Sequence, residues 1–204
     1  MKTSLFISIE GIDGAGKSTL KDNLVDYLNH DKIIFVREPG GTDISEKIRQ
    51  LLLDVRNDKI LPKTEAILYA AARAQLVEEV IGPALSAGHL VIADRYIDST
   101  IAYQGFARGL DLDFLQELND LSTNGLKPDL TLLLDLDPLI GQKRKQVGKL
   151  DRLEKEGILF QEKVRQGYLE MARLEPQRIK LLDANLPPVK LARKALKLIE
   201  DSWK

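Results

Sequence analysis

The chain has 204 residues, 44% of them hydrophobic and 30% charged, with a net charge of −1. That balance describes one folded α/β-sized domain, excludes a disordered chain, and leaves no overall field to recruit nucleic acid or an anionic membrane. The absence of cysteine removes disulfides, thiolate zinc sites and thiol nucleophiles, and fits a reducing, cytoplasmic setting.

In chain order, Phe6, Ile7 and Ile9 form a short β-branched and aromatic run that reads as a buried parallel strand. The apolar run stops at Glu10, and no run approaches the roughly 18 apolar residues of a membrane helix. Neither a signal peptide nor a membrane span is expected. Gly11, Gly16, Lys17 and Ser18 then fit G-x-x-x-x-G-K-[ST], the phosphate-cradling Walker A loop. Leu20, Leu24, Tyr27 and Leu28 follow at helical spacing. Strand, glycine-rich turn and helix is the order the motif requires. The backbone of Gly11, Ile12, Asp13, Gly14, Ala15, Gly16, Lys17, Ser18 and Thr19 is expected to wrap a polyphosphate. Lys17 adds a mobile charge, and the Ser18 hydroxyl is placed to ligate Mg²⁺.

Strand candidates Leu5–Ile9, Ile33–Val36, Leu90–Ala93, Leu130–Leu136 and Ile179–Leu182 alternate with helical patterns and predict an α/β doubly wound fold. The sheet is expected to be parallel and five-stranded, with helices on both faces. Ligands in such folds bind beyond the carboxyl ends of the strands, so the residues there carry the functional reading. After the second run, Arg37-Glu38-Pro39-Gly40-Gly41-Thr42 reads as a polar turn, and Asp43 with Glu46 as a capping box opening a helix through Leu53. Pro62 and Thr64 open a helix from Glu65 to about Ile81, interrupted at Gly82-Pro83. On it, Tyr69 and Arg73 share one face, as a nucleotide clamp or as a half-buried Tyr beside a surface Arg.

Leu90 to Ala93 followed by Asp94 resembles a Walker B strand, whose carboxylate holds Mg²⁺ or its water. Arg95 turns into the same crevice or pairs structurally with Asp94. Ser99 with Tyr103, and Thr100 with Gln104, are at i,i+4 spacing and suit base and sugar recognition. A helix from Asp111 to Asn124 carries no assigned chemistry. Asp137-Pro138 starts a helix leading into the basic run Lys143, Arg144, Lys145, Lys149 and Arg152, either a solvated face or cations that close over a γ-phosphate. Phe160, Val164, Tyr168 and Met171 read as one apolar face, and Val189, Ala192, Leu196, Ile199 and Trp203 as another.

FISIEGIDGAGKST, REPGGT, YAAARAQ, DRYIDSTIAYQG, PDLTLLLDLDP, LDRLE and LLDAN, in this order and over nearly the whole length, resemble the thymidylate kinase (dTMP kinase) family. The resemblance implies a P-loop nucleoside-monophosphate-kinase fold over residues 1–204, with a lid at about 142–156. It also implies transfer of the γ-phosphoryl of ATP to dTMP with Mg²⁺, in a homodimer built through helices. Carried onto this chain, it places Asp13 near the acceptor and Arg37 and Arg95 on the dTMP phosphate, with Glu38 nearby. Tyr69 would stack on thymine, Arg73 and Thr100 would face the base edge, and Ser99, Tyr103 and Gln104 would border the deoxyribose and base. Ala184, in LLDAN, would border ATP. Gly14 stands where some relatives have Arg, which leaves the lid to supply the catalytic cation, with Arg152 the best match and Lys149 and Arg144 behind it. The alternatives are a kinase for another deoxynucleotide or a deoxynucleoside, and a GTPase-type switch; the sequence contains no N-K-x-D for the switch.

Overall fold

The computed structural model describes residues 4–28, 32–145 and 151–203. Five strands, β1 (Leu5–Glu10), β2 (Ile33–Arg37), β3 (Leu90–Asp94), β4 (Leu130–Asp135) and β5 (Ile179–Asp183), form one parallel sheet in the order β2-β3-β1-β4-β5. Each strand is within a residue of the stretch its composition predicts; in the central strands β1, β3 and β4 near-continuous burial on both faces demands an apolar run. All six residues of β1 are buried. The pleat splits them: Leu5, Ile7 and Ile9 pack with Leu20 and Leu24 of α1 (Lys17–Tyr27), while Phe6 joins Val36, Leu76 and Tyr96. Ser8 and Glu10 share the Phe6 side, so a carboxylate is carried to the buried end of the central strand.

The chain winds to β2 and β3 on one side of β1, then to β4 and β5 on the other, so the loop after β1 opens where the winding reverses. Around the sheet lie α2 (Asp43–Leu53), α3 (Pro62–Leu76), α4 (Gly82–Ser86), α5 (Ile97–Thr100), α6 (Leu112–Thr123), α7 (Pro138–Arg144), α8 (Ile158–Leu174) and α9 (Pro188–Trp203). Among the described residues, no helix is long and apolar enough to cross a membrane.

Four local expectations need correction. The cap of α2 is Thr42, not Asp43: its hydroxyl accepts from the Ser45 amide, and Glu46 instead accepts from the Gly41 amide and Arg37. The helix from Pro62 is not broken at Gly82-Pro83. A π-helical stretch, Val77–Ile81, lets the Gly82 amide reach back to Val77 O and carries the axis into α4, so that Pro83 lies directly after the wider winding. A second π stretch, Ile101–Ala107, follows α5, so Tyr103 and Gln104 project from a wider winding than i,i+4 spacing assumes. Of the α9 stripe, Ala192 and Ile199 are buried but Val189 is 46% exposed.

α7 packs backbone to backbone on the loop after β1. A Cβ at Gly14 would lie 2.4 Å from Gly141 O, and one at Gly141 would lie 2.6 Å from Asp13 O. Gly14 is therefore a packing requirement, in addition to having φ +76°. Gly141→Ala should push α7 off this loop and lower Tm by about 3–10 °C, from roughly 1–3 kcal/mol of overpacking. An unchanged Tm in a thermal melt contradicts this reading of the contact.

Candidate active site

A cleft of ≈ 600 Å³ opens at the carboxyl ends of β1, β2, β3 and β5. Its floor is the loop between β1 and α1. Gly16 caps α1 in the left-handed conformation (φ 91°) with no side-chain hydrogen bond, so the first amides of the helix have no capping partner and suit an anion. Lys17 folds across the loop, its Nζ donating to Gly11 O and Ile12 O at 3.1 Å each. Burial and the charge of Arg95 bring its pKa down to about 8 despite Asp94, Asp13 and Glu10. Gly14, Ala15, Gly16, Ser18 and Thr19 line the cleft, and Ser18 and Thr19 are exposed there. Gly11 and Ile12 do not line it; they are buried supports whose carbonyls hold Lys17.

Asp94 ends β3 beside this floor, and Arg95 turns sharply after it with φ 71°. The turn is held by Arg95 N–H donating to Ile9 O and by Tyr96 N–H donating to Glu10 Oε1. It sends the guanidinium to Asp13 (2.7 Å) and not to Asp94, so the structural Asp94–Arg95 pair does not form. Burial raises the Asp13 carboxyl, but Arg95, Lys17 and Lys145 outweigh it and hold it below the ordinary range. Arg95 also lies 5.0 Å above the Tyr103 ring and donates to Gly11 O.

The far wall comes from β2, α3 and the segment from α5 onward. Glu38, Tyr69, Arg73, Ser99, Thr100, Tyr103 and Gln104 all line it, with Arg37 at the rim paired to Glu46. Arg73 is 2% exposed, which excludes the surface reading. Its N–H groups go to Glu38 Oε2, Thr100 Oγ1, Asn119 Oδ1 and Tyr96 O, so it cannot offer a bidentate fork to phosphate. Burial pushes Glu38 up to about 7 against the pull of Arg73. Among the cleft-lining residues, Glu38 Oε1 and Tyr103 Oη on this wall and Asp94 Oδ1 beside the floor are buried with no hydrogen-bond partner among the described residues. Buried polar atoms without partners are unfavourable in a finished interior, and those beside a cleft are placed to meet a polar ligand.

Arg152 is displaced from its expected place. It is 7% exposed, does not line the cleft, pairs with Glu65 at 2.6 Å and donates to Leu52 O. A buried guanidinium takes the carboxylate and carbonyl that solvate it, and here those lie away from the phosphate loop. The cations that do face the floor are Lys145, 3.6 Å from Asp13, and Arg144, which donates to Ala184 O at the end of β5. Lys149 lies outside the described residues.

Three buried residues behind the cleft lining, Glu10, Tyr168 and Asn119, escape motif reading. Glu10 accepts from Ser99 and Tyr168 hydroxyls as well as Tyr96 N–H, and burial together with the Asp98 charge brings it up to about 7. Tyr168, read as plain core, also accepts from Arg95 Nη1. A carboxylate ending an otherwise apolar strand was the available signal for Glu10. Asn119, buried beside Leu115 on α6, was the matching signal for a polar partner to Arg73.

An uncapped glycine loop after the central strand, a strand-end carboxylate beside it and an arginine-bearing wall opposite define a P-loop nucleotide kinase. The family model for thymidylate kinase matches residues 9–195. A thymidylate kinase of Oenococcus oeni is 48% identical over 210 aligned residues, covering 100% of this chain and 99% of that protein, and one of Syntrophotalea carbinolica is 50% identical, covering 89% and 88%. The crystal structure of thymidylate kinase from Ehrlichia chaffeensis superposes with a TM-score of 0.78 at 31% identity, covering 96% of this chain and 98% of that one. The chain belongs to the thymidylate kinase family.

The state of Lys17 gives a pH dependence with a defined sign. With its pKa brought down to about 8, the free protein keeps the ammonium below that pH and loses it above. The Kd for ATP, measured by calorimetry, should be flat between pH 6.5 and 7.5 and rise by up to about tenfold per unit beyond about pH 8. A Kd that stays flat to pH 9.5 contradicts a lowered Lys17 pKa acting on the triphosphate.

Proposed function

We propose that the cleft transfers the γ-phosphoryl group of ATP to dTMP, giving dTDP, with both substrates bound at once and no covalent enzyme intermediate. Phosphorylation of dTMP from ATP is the activity of the family to which the chain belongs. The observation that carries the residue-level reading is that an open phosphate-binding helix end and an arginine-lined wall meet in one cleft across the Asp13–Arg95 pair. ATP lies on the floor, its β- and γ-phosphates on the loop amides and Lys17, its base toward Arg144 and Ala184. The acceptor phosphate takes Arg95 and Arg37, the deoxyribose lies by Tyr103 and Ser99, and the base stacks on Tyr69 near Thr100, Gln104 and the remaining N–H of Arg73. Alignment of the acceptor phosphate with the γ-phosphoryl supplies most of the acceleration, and charge stabilisation supplies the rest.

Mg²⁺ fits this donor set. Asp94 Oδ1 is buried without a partner next to the exposed Ser18 hydroxyl's loop, and one carboxylate and one hydroxyl completed by substrate phosphates and water suit a small hard cation. Ser18 and Asp94 would hold it; once bound, it would neutralise charge on the β- and γ-phosphates. The segment at about 142–156 is proposed as the lid, and Lys145 as its cation facing the transferring group, in place of Arg152. A homodimer is proposed through α2, α3 and α6, on which Leu51, Ile67, Leu112 and Leu121 are exposed. A cytoplasmic location accords with the cysteine-free sequence.

Coupled ADP release with dTMP, dUMP, dCMP, dGMP and thymidine should show the highest kcat/KM for dTMP; preference for any other acceptor sinks the substrate assignment. In the same assay Lys145→Ala should lower kcat by about 10²–10³, the usual loss for one charge-stabilising donor, with the KM for dTMP nearly unchanged. Unchanged kcat would remove Lys145 from the transition state.

A further inference from the structure

Behind the acceptor wall lies a buried charge cluster that the phosphoryl-transfer reading does not use. Glu65, in the first turn of α3, is fully buried and does not line the cleft. Its Oε1 accepts from Gln104 Nε2 at 2.9 Å and from Arg108 Nε at 3.2 Å. Its Oε2 accepts from Arg108 Nη2 at 3.2 Å and pairs with Arg152 at 2.6 Å. Arg152 is itself fixed to the end of α2 through Leu52 O and Leu53 O, and Arg108 is paired with Glu156 at 2.6 Å. Hydrogen bonds from Gln104 and Arg108, together with the ion pair to Arg152, thus hold one carboxylate from three residues.

The consequence falls on Gln104. An amide side chain presents either its carbonyl or its NH₂ to a neighbour, and only its surroundings decide which. With the NH₂ end committed to Glu65, the carbonyl Oε1 is left for the cleft side, which Gln104 lines. A flip would set the carbonyl oxygen against the Glu65 carboxylate, leaving two buried acceptors facing each other without a proton. We propose that Glu65 is a positioning residue for base selection. By fixing the Gln104 amide it presents an acceptor to the N3 edge of the incoming base, admitting a base whose N3 carries hydrogen and refusing cytosine, whose N3 is itself an acceptor. The assignment rests on the acceptor-site reading above, and it gives Arg152 and Arg108 a role in holding the base reader.

The test compares kcat/KM for dTMP and for dCMP in one enzyme. Glu65→Gln keeps the volume but can offer either end of its own amide, so Gln104 is free to turn. The dTMP over dCMP ratio should fall by about tenfold or more, while the KM for ATP changes less than twofold. Loss of packing alone would lower both rates together and leave the ratio where it was. If the single variant folds poorly, Glu65→Gln with Arg152→Met removes a matched pair of charges and leaves Arg108 its Glu156 partner, so no buried charge is stranded. The ratio is insensitive to any common loss of kcat from Arg152. Failure of the wild-type protein to phosphorylate dTMP would overturn the acceptor reading. Normal wild-type activity with an unchanged ratio in the folded variant would overturn the assignment of Glu65 alone.

Discussion

The ion pair between Arg95 and Asp13 joins the two halves of the cleft, and much of the surrounding structure exists to hold it. Asp13 belongs to the phosphate loop and Arg95 to the acceptor wall. The pair forms because β3 lies beside β1 in register, with Asp94 level with Ile9, and because the chain turns through a left-handed residue immediately afterwards. A non-glycine residue in that region is strained by about 1–3 kcal/mol and persists only when its neighbours over-determine it. Here they are the Ile9 carbonyl, the Glu10 carboxylate and the Tyr103 ring.

The electrostatics follow the same division. Around the phosphate loop the cations Lys17, Lys145 and Arg95 prevail, and they hold Asp13 charged although it is largely enclosed. Deeper in, burial prevails over partners, and Glu10 and Glu38 are both brought to about 7. Arg73 is committed to protein partners, and of the buried side-chain atoms without a hydrogen bond among the described residues, those on Glu38, Asp94 and Tyr103 belong to residues that line the cleft, while Arg152 Nη2 and Gln161 Oε1 do not. Such a wall is set for a polar ligand before any ligand arrives.

Much of this was legible in the sequence because the fold places function at strand ends and the strands are continuous apolar runs. Reading past the second and third runs leads to Arg37 and Asp94 without knowledge of any contact, and the family resemblance adds Ala184 after the last. What was not legible depends on partners distant in the chain. Arg152 sits among basic residues in sequence, and nothing local says that its carboxylate is Glu65, on a helix far upstream. Tyr168 has the spacing of a core residue and packs as one, yet its hydroxyl completes the shell of Glu10. The π-helical stretches escape periodicity analysis because a single wider turn leaves the average spacing nearly intact. Gly14 was read from the absence of a side chain, whereas the structure gives the cause as the backbone of α7 pressed against it.

If the phosphate loop and the opposite wall form one continuous site across the Asp13–Arg95 pair, a single molecule that carries adenosine and thymidine at the two ends of a polyphosphate chain should bind one per active site and compete with ATP and with dTMP alike. Competition with only one of the two substrates, or binding of two molecules per site, would contradict it.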